Sequence, residues 1–102
     1  MRVRHDVRQI LLAIPPQDRF EVGGGVTRAA WSIPCNIAEG QMRLDRRDYK
    51  QFLSYARGSV GELDTQFVAL ADDHPHFEKR IEAIIDPLWG VSRMITAIMK
   101  QL

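Results

Sequence analysis

The sequence is poor in cysteine and has no long apolar run. Its single cysteine, Cys35, excludes an intrachain disulfide and provides no cysteine framework for a metal. No apolar stretch approaches the roughly 20 residues of a transmembrane helix. Residues 1–6 lead into no apolar core of a signal peptide, so a secretory leader is not expected. We therefore expect a protein of the reducing cytoplasm.

The sequence also lacks the alternation of apolar and polar residues that is typical of β-strands, whereas apolar residues recur at helical spacing along the chain. A chain of 102 residues with 45% apolar residues suits a single domain, residues 1–102. Four helices are predicted, over residues 3–14, 18–39, 46–71 and 75–101. Their short connections predict an all-α, antiparallel up-down-up-down four-helix bundle with a short first helix. Apolar residues of the third helix repeat every seven residues and predict the heptad seam of a left-handed bundle; they are Tyr49, Leu53, Ala56, Val60, Leu63, Phe67 and Leu70.

The second predicted helix contains the stretch Ser32–Gly40, which has a proline in its middle. Pro34 has no N–H and its ring crowds the carbonyl of Ala30, so a kink is expected there. Gly40 is expected to end the helix with a positive φ. On the third helix, small residues predict close approach of the bent helix; they are Gly58, Ser59 and Gly61.

Two features of these helices each have two interpretations. Gly23–Gly25 could be a frayed first turn or loop, with the firm helix starting at Val26, or a cradle of backbone amides for phosphate. Asn36, Glu39 and Glu62 could perform acid–base chemistry, but no second group to adjust a pKa stands at helical spacing. A buried network, in which Asn36 and Glu62 satisfy groups freed by Pro34, is the favoured interpretation.

Positive charge is concentrated in the first part of the chain. Residues 1–57 hold ten Lys/Arg against six Asp/Glu, and residues 58–102 hold four against seven. One sector of the third helix carries Arg46, Arg47, Lys50 and Arg57, with Arg43 just before it. Residues 2, 4 and 8 add further arginines. This sector could contact phosphates, or it could be a solvated face that Asp residues partly neutralise. No aromatic residue is interleaved with it, which argues against a base-stacking platform.

Three other groups of residues are weaker candidates. The histidines at 74 and 76 lie beside Asp72 and Asp73, but their spacing around a proline favours a solvated loop over a metal site. Cys35 has no activating base within its helix, which favours a small buried residue. The tryptophans at 31 and 89 could be core residues or could anchor a subunit interface; the position of the first favours an interface.

The chain resembles the bacterial four-helix-bundle family of proteins encoded in intervening sequences of large-subunit ribosomal RNA genes. That family includes the accessory variability determinant of diversity-generating retroelements. The resemblance covers residues 14 to 102 and rests on two sequence strings and several single positions. The first string is residues 28–40, and the second is formed by Ala56, Gly58, Ser59, Glu62 and Leu63. The single positions are Arg43, Tyr49, Phe52, Leu53, Gln66, Arg93 and Met94. The structural motif within them comprises Ser32, Pro34, Asn36, Glu39, Gly40, Gly58, Ser59 and Glu62. The chain departs from the family at Gly25, where a glutamine is usual, and in its short first helix.

The resemblance implies a non-enzymatic module that forms homo-oligomers, often rings of five subunits. It also implies nucleic acid or a reverse transcriptase as partners, as in the best understood branch. No catalytic residue, metal or cofactor is expected. The basic sector predicts binding of RNA or DNA through Arg28, Arg43, Arg46, Arg47, Lys50 and Arg57. The alternative is a structural or protein-interaction bundle that never meets nucleic acid.

Overall fold

The fold is described from a computed structural model of the chain. It describes His5, Arg8, Gln9, Leu12 and residues 16–102, and for residues 16–23 the backbone alone. Within residues 16–102, three α-helices follow one another: α1 (Pro16–Gln41), α2 (Arg46–Asp73) and α3 (Glu78–Lys100), with a 3-10 turn (Pro75–Phe77) before α3. These residues contain no strand, so the all-α prediction is confirmed for them. Most of the predicted first helix, residues 3–14, lies outside the described residues, although the four named above are helical.

Helix α1 is longer than predicted and continues through the three glycines. Gly23–Gly25 lie inside it, so neither a loop nor a cradle of free amides forms there, because helical backbone amides bond to carbonyls one turn earlier. A Cβ placed on Gly25 would lie 2.9 Å from Nε2 of Gln66 on α2. The side chain of Gln66 therefore occupies the space that a larger residue at position 25 would need. Pro34 also lies within this helix, which runs unbroken to Gln41.

Gly40 does not end α1 in the predicted way. No glycine among the described residues has a positive φ, and α1 ends at Gln41 through bonds to carbonyls three residues back, such as Arg43 N–H to Gly40 O at 3.1 Å. Gly40 is buried, and a Cβ there would lie 2.9 Å from Cδ1 of Tyr49 and 3.0 Å from Cβ of Phe52. Its role is close packing of α1 on the start of α2.

Helix α2 starts where the sequence predicts. Asp45 is its N-cap, and its Oδ1 accepts a hydrogen bond of 2.8 Å from the backbone N–H of Arg47. The predicted heptad seam is buried in full except at Tyr49, which is partly exposed. The fully buried members are Leu53, Ala56, Val60, Leu63, Phe67 and Leu70. The helix runs to Asp73, and the N–H of His74 bonds to Leu70 O at 2.9 Å.

Helix α2 packs against both α1 and α3. The larger core cluster contains Val26 and Ile33 from α1, Ile84 and Leu88 from α3, and the α2 seam from Val60 to Leu70. Leu53 and Ala56 of the seam form a second cluster with Ile95 of α3. Residue 25 approaches 66, residue 32 contacts 59 and residue 40 approaches 52, so α1 and α2 run antiparallel. Contacts of 57 with 96 and of 64 with 89 show the same for α2 and α3. The predicted antiparallel order therefore holds for these three helices.

Candidate nucleic-acid interface

The start of α2 and the end of α3 form an open groove lined by cations. Its lining residues, which we call the basic groove, are Arg46, Arg47, Lys50, Gln51, Ser54, Met99 and Leu102, around a volume of about 470 Å³. The three cations lie in the first two turns of α2, because the Asp45 cap starts the helix just before them. The antiparallel arrangement brings the last turn of α3 beside this first part of α2.

No cation of the basic groove forms an ion pair within the described part of the chain. Arg46, Arg47 and Lys50 are exposed, and the one ion pair found there joins Arg43 and Glu39. Asp48 is not among the groove residues. The Asp45 carboxylate caps the start of α2 and offsets the partial positive charge of that helix end, so the positive charge of the groove comes from the three side chains. The groove therefore has the charge and the hydrogen-bond donors that phosphate groups require.

Arg43 lies outside the basic groove and already has partners. Its Nη2 donates to Oε1 of Glu39 at 2.7 Å, and its guanidinium lies 4.9 Å from the centre of the Phe52 ring. Both contacts hold the side chain at the junction of α1 and α2. Arg43 is therefore less available to a phosphate than the cations of the groove, because a phosphate would have to replace the Glu39 carboxylate.

Arg57 and Arg28 lie at increasing distances from the basic groove. Nη1 of Arg57 donates to Oγ1 of Thr96 at 3.3 Å, which holds it over α3 on the same side of α2 as Lys50, about 10 Å along the helix. Arg28 is exposed near the middle of α1 and is about 20 Å along that helix from Arg43. The structure thus brings together three of the six predicted residues and places a fourth nearby.

The sequence prediction missed three residues that α3 contributes to this side of the molecule. Arg93 and Lys100 are exposed and stand three and four residues from Thr96, so they flank the position where Arg57 is held. Trp89 is 39% exposed, and its indole N–H donates to Oδ1 of Asp64 at 3.2 Å. The sequence prediction found no aromatic residue near the basic sector because it considered only the residues of α2. Antiparallel pairing of the heptads in α2 and α3 was the signal that could have found Trp89.

A polar network joins α1 to α2 around Ser32. Its Oγ lies 2.7 Å from Oγ of Ser59, and Nδ2 of Asn36 donates to both the carbonyl oxygen and Oγ of Ser32 at 2.8 Å. Oγ of Ser59 also lies 3.1 Å from the carbonyl oxygen of Tyr55, to which it can donate. A partly buried network thus includes Asn36, but Asn36 bonds to Ser32 and not to the Ala30 carbonyl that Pro34 leaves without an N–H partner. Glu62 is exposed and forms no bond within this network. Glu39 is exposed as well, so the three groups do not converge on an acid–base site.

The prediction of close approach holds at Ser59 and fails at two neighbouring glycines. Gly58 is exposed, and a Cβ on Gly58 or Gly61 would meet no atom within 4 Å. Around α2, Ser59 points about 100° away from Gly58 and about 160° away from Gly61, so the two glycines do not share the direction in which Ser59 meets α1.

The remaining candidates do not form sites. Cys35 is exposed on α1, contrary to the prediction, because Ile33 occupies the core-facing position. No group of His, Cys, Asp or Glu in the described residues is suited to hold a metal ion. His74 and His76 instead contact one another and Phe77 through their rings. Of the helices within the described ranges, none has the length and apolarity to cross a membrane.

Comparison with known proteins places the chain in a family. The model of the 23S rRNA-intervening sequence protein family matches residues 1–97. The chain belongs to this family. It is also similar in fold to a protein of unknown function from the S23 ribosomal protein family of Bacteroides thetaiotaomicron VPI-5482, whose crystal structure was determined at 1.70 Å resolution. The two share 18% sequence identity over 96% of this chain and 98% of the other, with a TM-score of 0.78. No curated protein matches the chain.

Proposed function

We propose that this member of the 23S rRNA-intervening sequence protein family is a non-enzymatic, homo-oligomeric module that binds RNA or DNA through the basic groove. The supporting observation is the cluster of Arg46, Arg47 and Lys50, which lies in one open groove without a carboxylate partner among the described residues. Three cations that share one groove and form no ion pair favour a polyanionic partner. Arg57, Arg93 and Lys100 extend the same charged side of the molecule.

The scaffold and the assembly are part of this proposal. Residues 3–14 would supply the fourth helix of the bundle, and Pro34 would bend α1. Trp31 is 43% exposed on α1 and could anchor a subunit interface, in a ring of five or of another size. The proposal also includes a relation to the accessory variability determinant of diversity-generating retroelements, with a reverse transcriptase as partner. It includes a cytoplasmic location as well.

The binding test uses two double variants that change net charge equally. Arg46→Ala/Lys50→Ala removes two cations from the basic groove, and Lys79→Ala/Arg80→Ala removes two exposed cations near the start of α3. Filter binding of labelled RNA and DNA is measured across a series of salt concentrations. We expect the groove variant to bind more weakly, with a log–log salt slope flatter by about 1.4 for a single strand, and the control to bind like the wild type.

Two results would contradict the binding proposal. Retention of neither RNA nor DNA by the wild-type protein at low salt would exclude it. Equal losses in the two double variants would show that only net charge matters. The oligomer is tested separately by sedimentation, where a clean monomer at high protein concentration would exclude it.

The second candidate function is a protein-interaction bundle that does not bind nucleic acid. It is favoured by the connection between α1 and α2, where Met42 is 81% exposed and Leu44 is fully exposed. Large apolar side chains at a loop tip are typical of contacts with another protein. Replacing both by Ser should abolish a protein contact and leave filter binding of RNA unchanged.

A further inference from the structure

Polar contacts along the outer edge of the α2–α3 contact occur at a fixed interval. Arg57 is bonded to Thr96, and Asp64 is bonded to Trp89, seven residues later on α2 and seven residues earlier on α3. Lys50 precedes Arg57 by the same interval and lies in the basic groove. Seven residues correspond to about 10 Å of helix. We call this line, from Lys50 through Arg57 and Thr96 to Asp64 and Trp89, the α2–α3 edge.

The α2–α3 edge has an open gap between its two bonded pairs. Gly61 stands on α2 between Arg57 and Asp64 and on the same side, four residues after the first and three before the second. A Cβ on Gly61 would meet no atom within 4 Å, so this position adds no side chain and leaves space above it. On α3, the exposed Arg93 stands four residues after Trp89 and three before Thr96, and its Nη2 lies 3.6 Å from a Cβ built on Gly90. The gap is therefore bordered by the cations Arg57 and Arg93 and by the indole of Trp89.

Trp89 is held so that its ring remains available. The hydrogen bond from its indole N–H to Asp64 fixes the ring edge on α2, while 39% of the residue stays exposed. An exposed tryptophan with a fixed edge is suited to stack on a planar ring, and every nucleobase has such a face.

We propose that the α2–α3 edge binds single-stranded nucleic acid, with phosphates on Lys50 and Arg57 and one unpaired base stacked on Trp89 above Gly61. This inference rests on the proposed nucleic-acid function and specifies the strand form that it selects. A duplex is disfavoured because its bases stack on one another and cannot present a face to the indole. Two acidic residues lie at this end of the edge: Asp64, which holds Trp89, and Asp86, three residues before Trp89 on α3. Both repel phosphate, so the nucleic-acid backbone is not expected to continue past Trp89.

The test uses the fact that the chain has two tryptophans. In the variant Trp31→Phe, Trp89 is the one emitter of tryptophan fluorescence. We expect a saturable loss of this emission on titration with a short oligouridylate, and none with an RNA duplex of equal length. Trp89→Leu should weaken binding of the oligouridylate roughly 5- to 150-fold.

A second pair of variants tests the gap without altering Trp89. Gly61→Leu fills the space beside the indole, and Gly24→Leu makes the same change at an exposed glycine of α1 that also has no atom within 4 Å of an added Cβ. We expect Gly61→Leu to lose the quenching and to bind the oligouridylate more weakly, and Gly24→Leu to behave like the wild type.

The outcomes distinguish this inference from the proposal on which it rests. Retention of RNA on filters with unchanged Trp89 emission, or equal binding of duplex and single strand, would overturn the single-strand inference and leave the basic groove intact. Failure of any RNA or DNA to bind would overturn both. Binding of polyglutamate as tightly as of the oligouridylate would indicate an acidic protein partner and overturn the inference.

Discussion

Replacing Gly40 by alanine tests how closely α1 and α2 approach each other. The new Cβ would lie 2.9 Å from Cδ1 of Tyr49 and 3.0 Å from Cβ of Phe52. Carbon atoms in favourable contact are about 3.5–4.0 Å apart, so the helices would have to separate by about 0.5–1 Å. The ring of Tyr49 can turn, since it is partly exposed, but Cβ of Phe52 is fixed to the backbone of α2. The short connection 42–45 ties the two helices together at this point and limits their separation.

The expected effect is a loss of stability that outweighs the better helix propensity of alanine. Overpacking a tight contact costs about 1–3 kcal/mol, whereas Gly to Ala in a helix stabilises by about 1 kcal/mol. Because one of the two contacts is to a Cβ fixed to the backbone, the cost lies in the upper part of that range, about 2–3 kcal/mol. Less about 1 kcal/mol of helix propensity, Gly40→Ala should lower the free energy of unfolding by about 1–2 kcal/mol, which lowers Tm by at least about 4 °C in a domain of this size. Urea and thermal denaturation, followed by helical circular dichroism, measure both quantities.

The matched control is the same substitution at Gly58. This residue is also helical, but a Cβ there would meet no atom within 4 Å. Only the helix-propensity term remains, so Gly58→Ala should raise the free energy of unfolding by about 1 kcal/mol. If Gly40→Ala were as stable as the wild type, the close approach of α1 and α2 described above would be wrong.

Three further substitutions test the network, the cap and the core by the same denaturation measurements. Asn36→Ala removes two hydrogen bonds to Ser32 and should destabilise by about 1 kcal/mol; an unchanged Tm would show that the network contributes nothing. Asp45→Ala removes the N-cap of α2 and should also lose about 1 kcal/mol, whereas Asp45→Asn should retain most of it. Phe67→Ala empties a fully buried site and should lose about 3–5 kcal/mol, and a loss below 1 kcal/mol would contradict its central place in the core.

The helical core was predictable because periodicity is a property of many residues at once. The heptad positions of α2 are buried as predicted, with Leu63 and Phe67 at its centre. The N-cap at Asp45 was equally accessible to sequence reasoning, since a carboxylate just before an amphipathic run has one common role. Both signals depend on residues within one helix and not on how helices meet.

Glycines were predicted less well because their role depends on a neighbour that the sequence does not show. Gly40 has the position of a helix-ending residue, but it is buried inside α1 against α2. Gly58 was predicted to pack against another helix, but it faces open space, and Ser59 beside it makes the contact with Ser32 of α1. A glycine permits either a positive φ or a close approach, and local spacing does not distinguish them. The exposure of Cys35 has a related cause, because its neighbour Ile33 takes the core position.

The candidate interface was predictable in part, as the cations of one helix face. Arg46, Arg47 and Lys50 share a groove because they are close in sequence on one helix. The contact of Arg43 with Glu39 was open to the same reasoning, since the two are four residues apart. The contribution of α3 was not visible from α2 alone, because it depends on the register between two antiparallel helices.

That register connects the stability of the bundle to its proposed function. Arg57 and Asp64 each follow directly after a buried residue of the heptad seam, Ala56 and Leu63. The relative position of α2 and α3 that fills the core therefore also determines which surface residues meet across the α2–α3 edge. A slip of one turn between the helices would separate Asp64 from Trp89 while leaving apolar residues in contact. The specific bonds at the edge thus favour one register over its neighbours, and the surface that we propose for single-stranded nucleic acid is built by the same heptads that build the core.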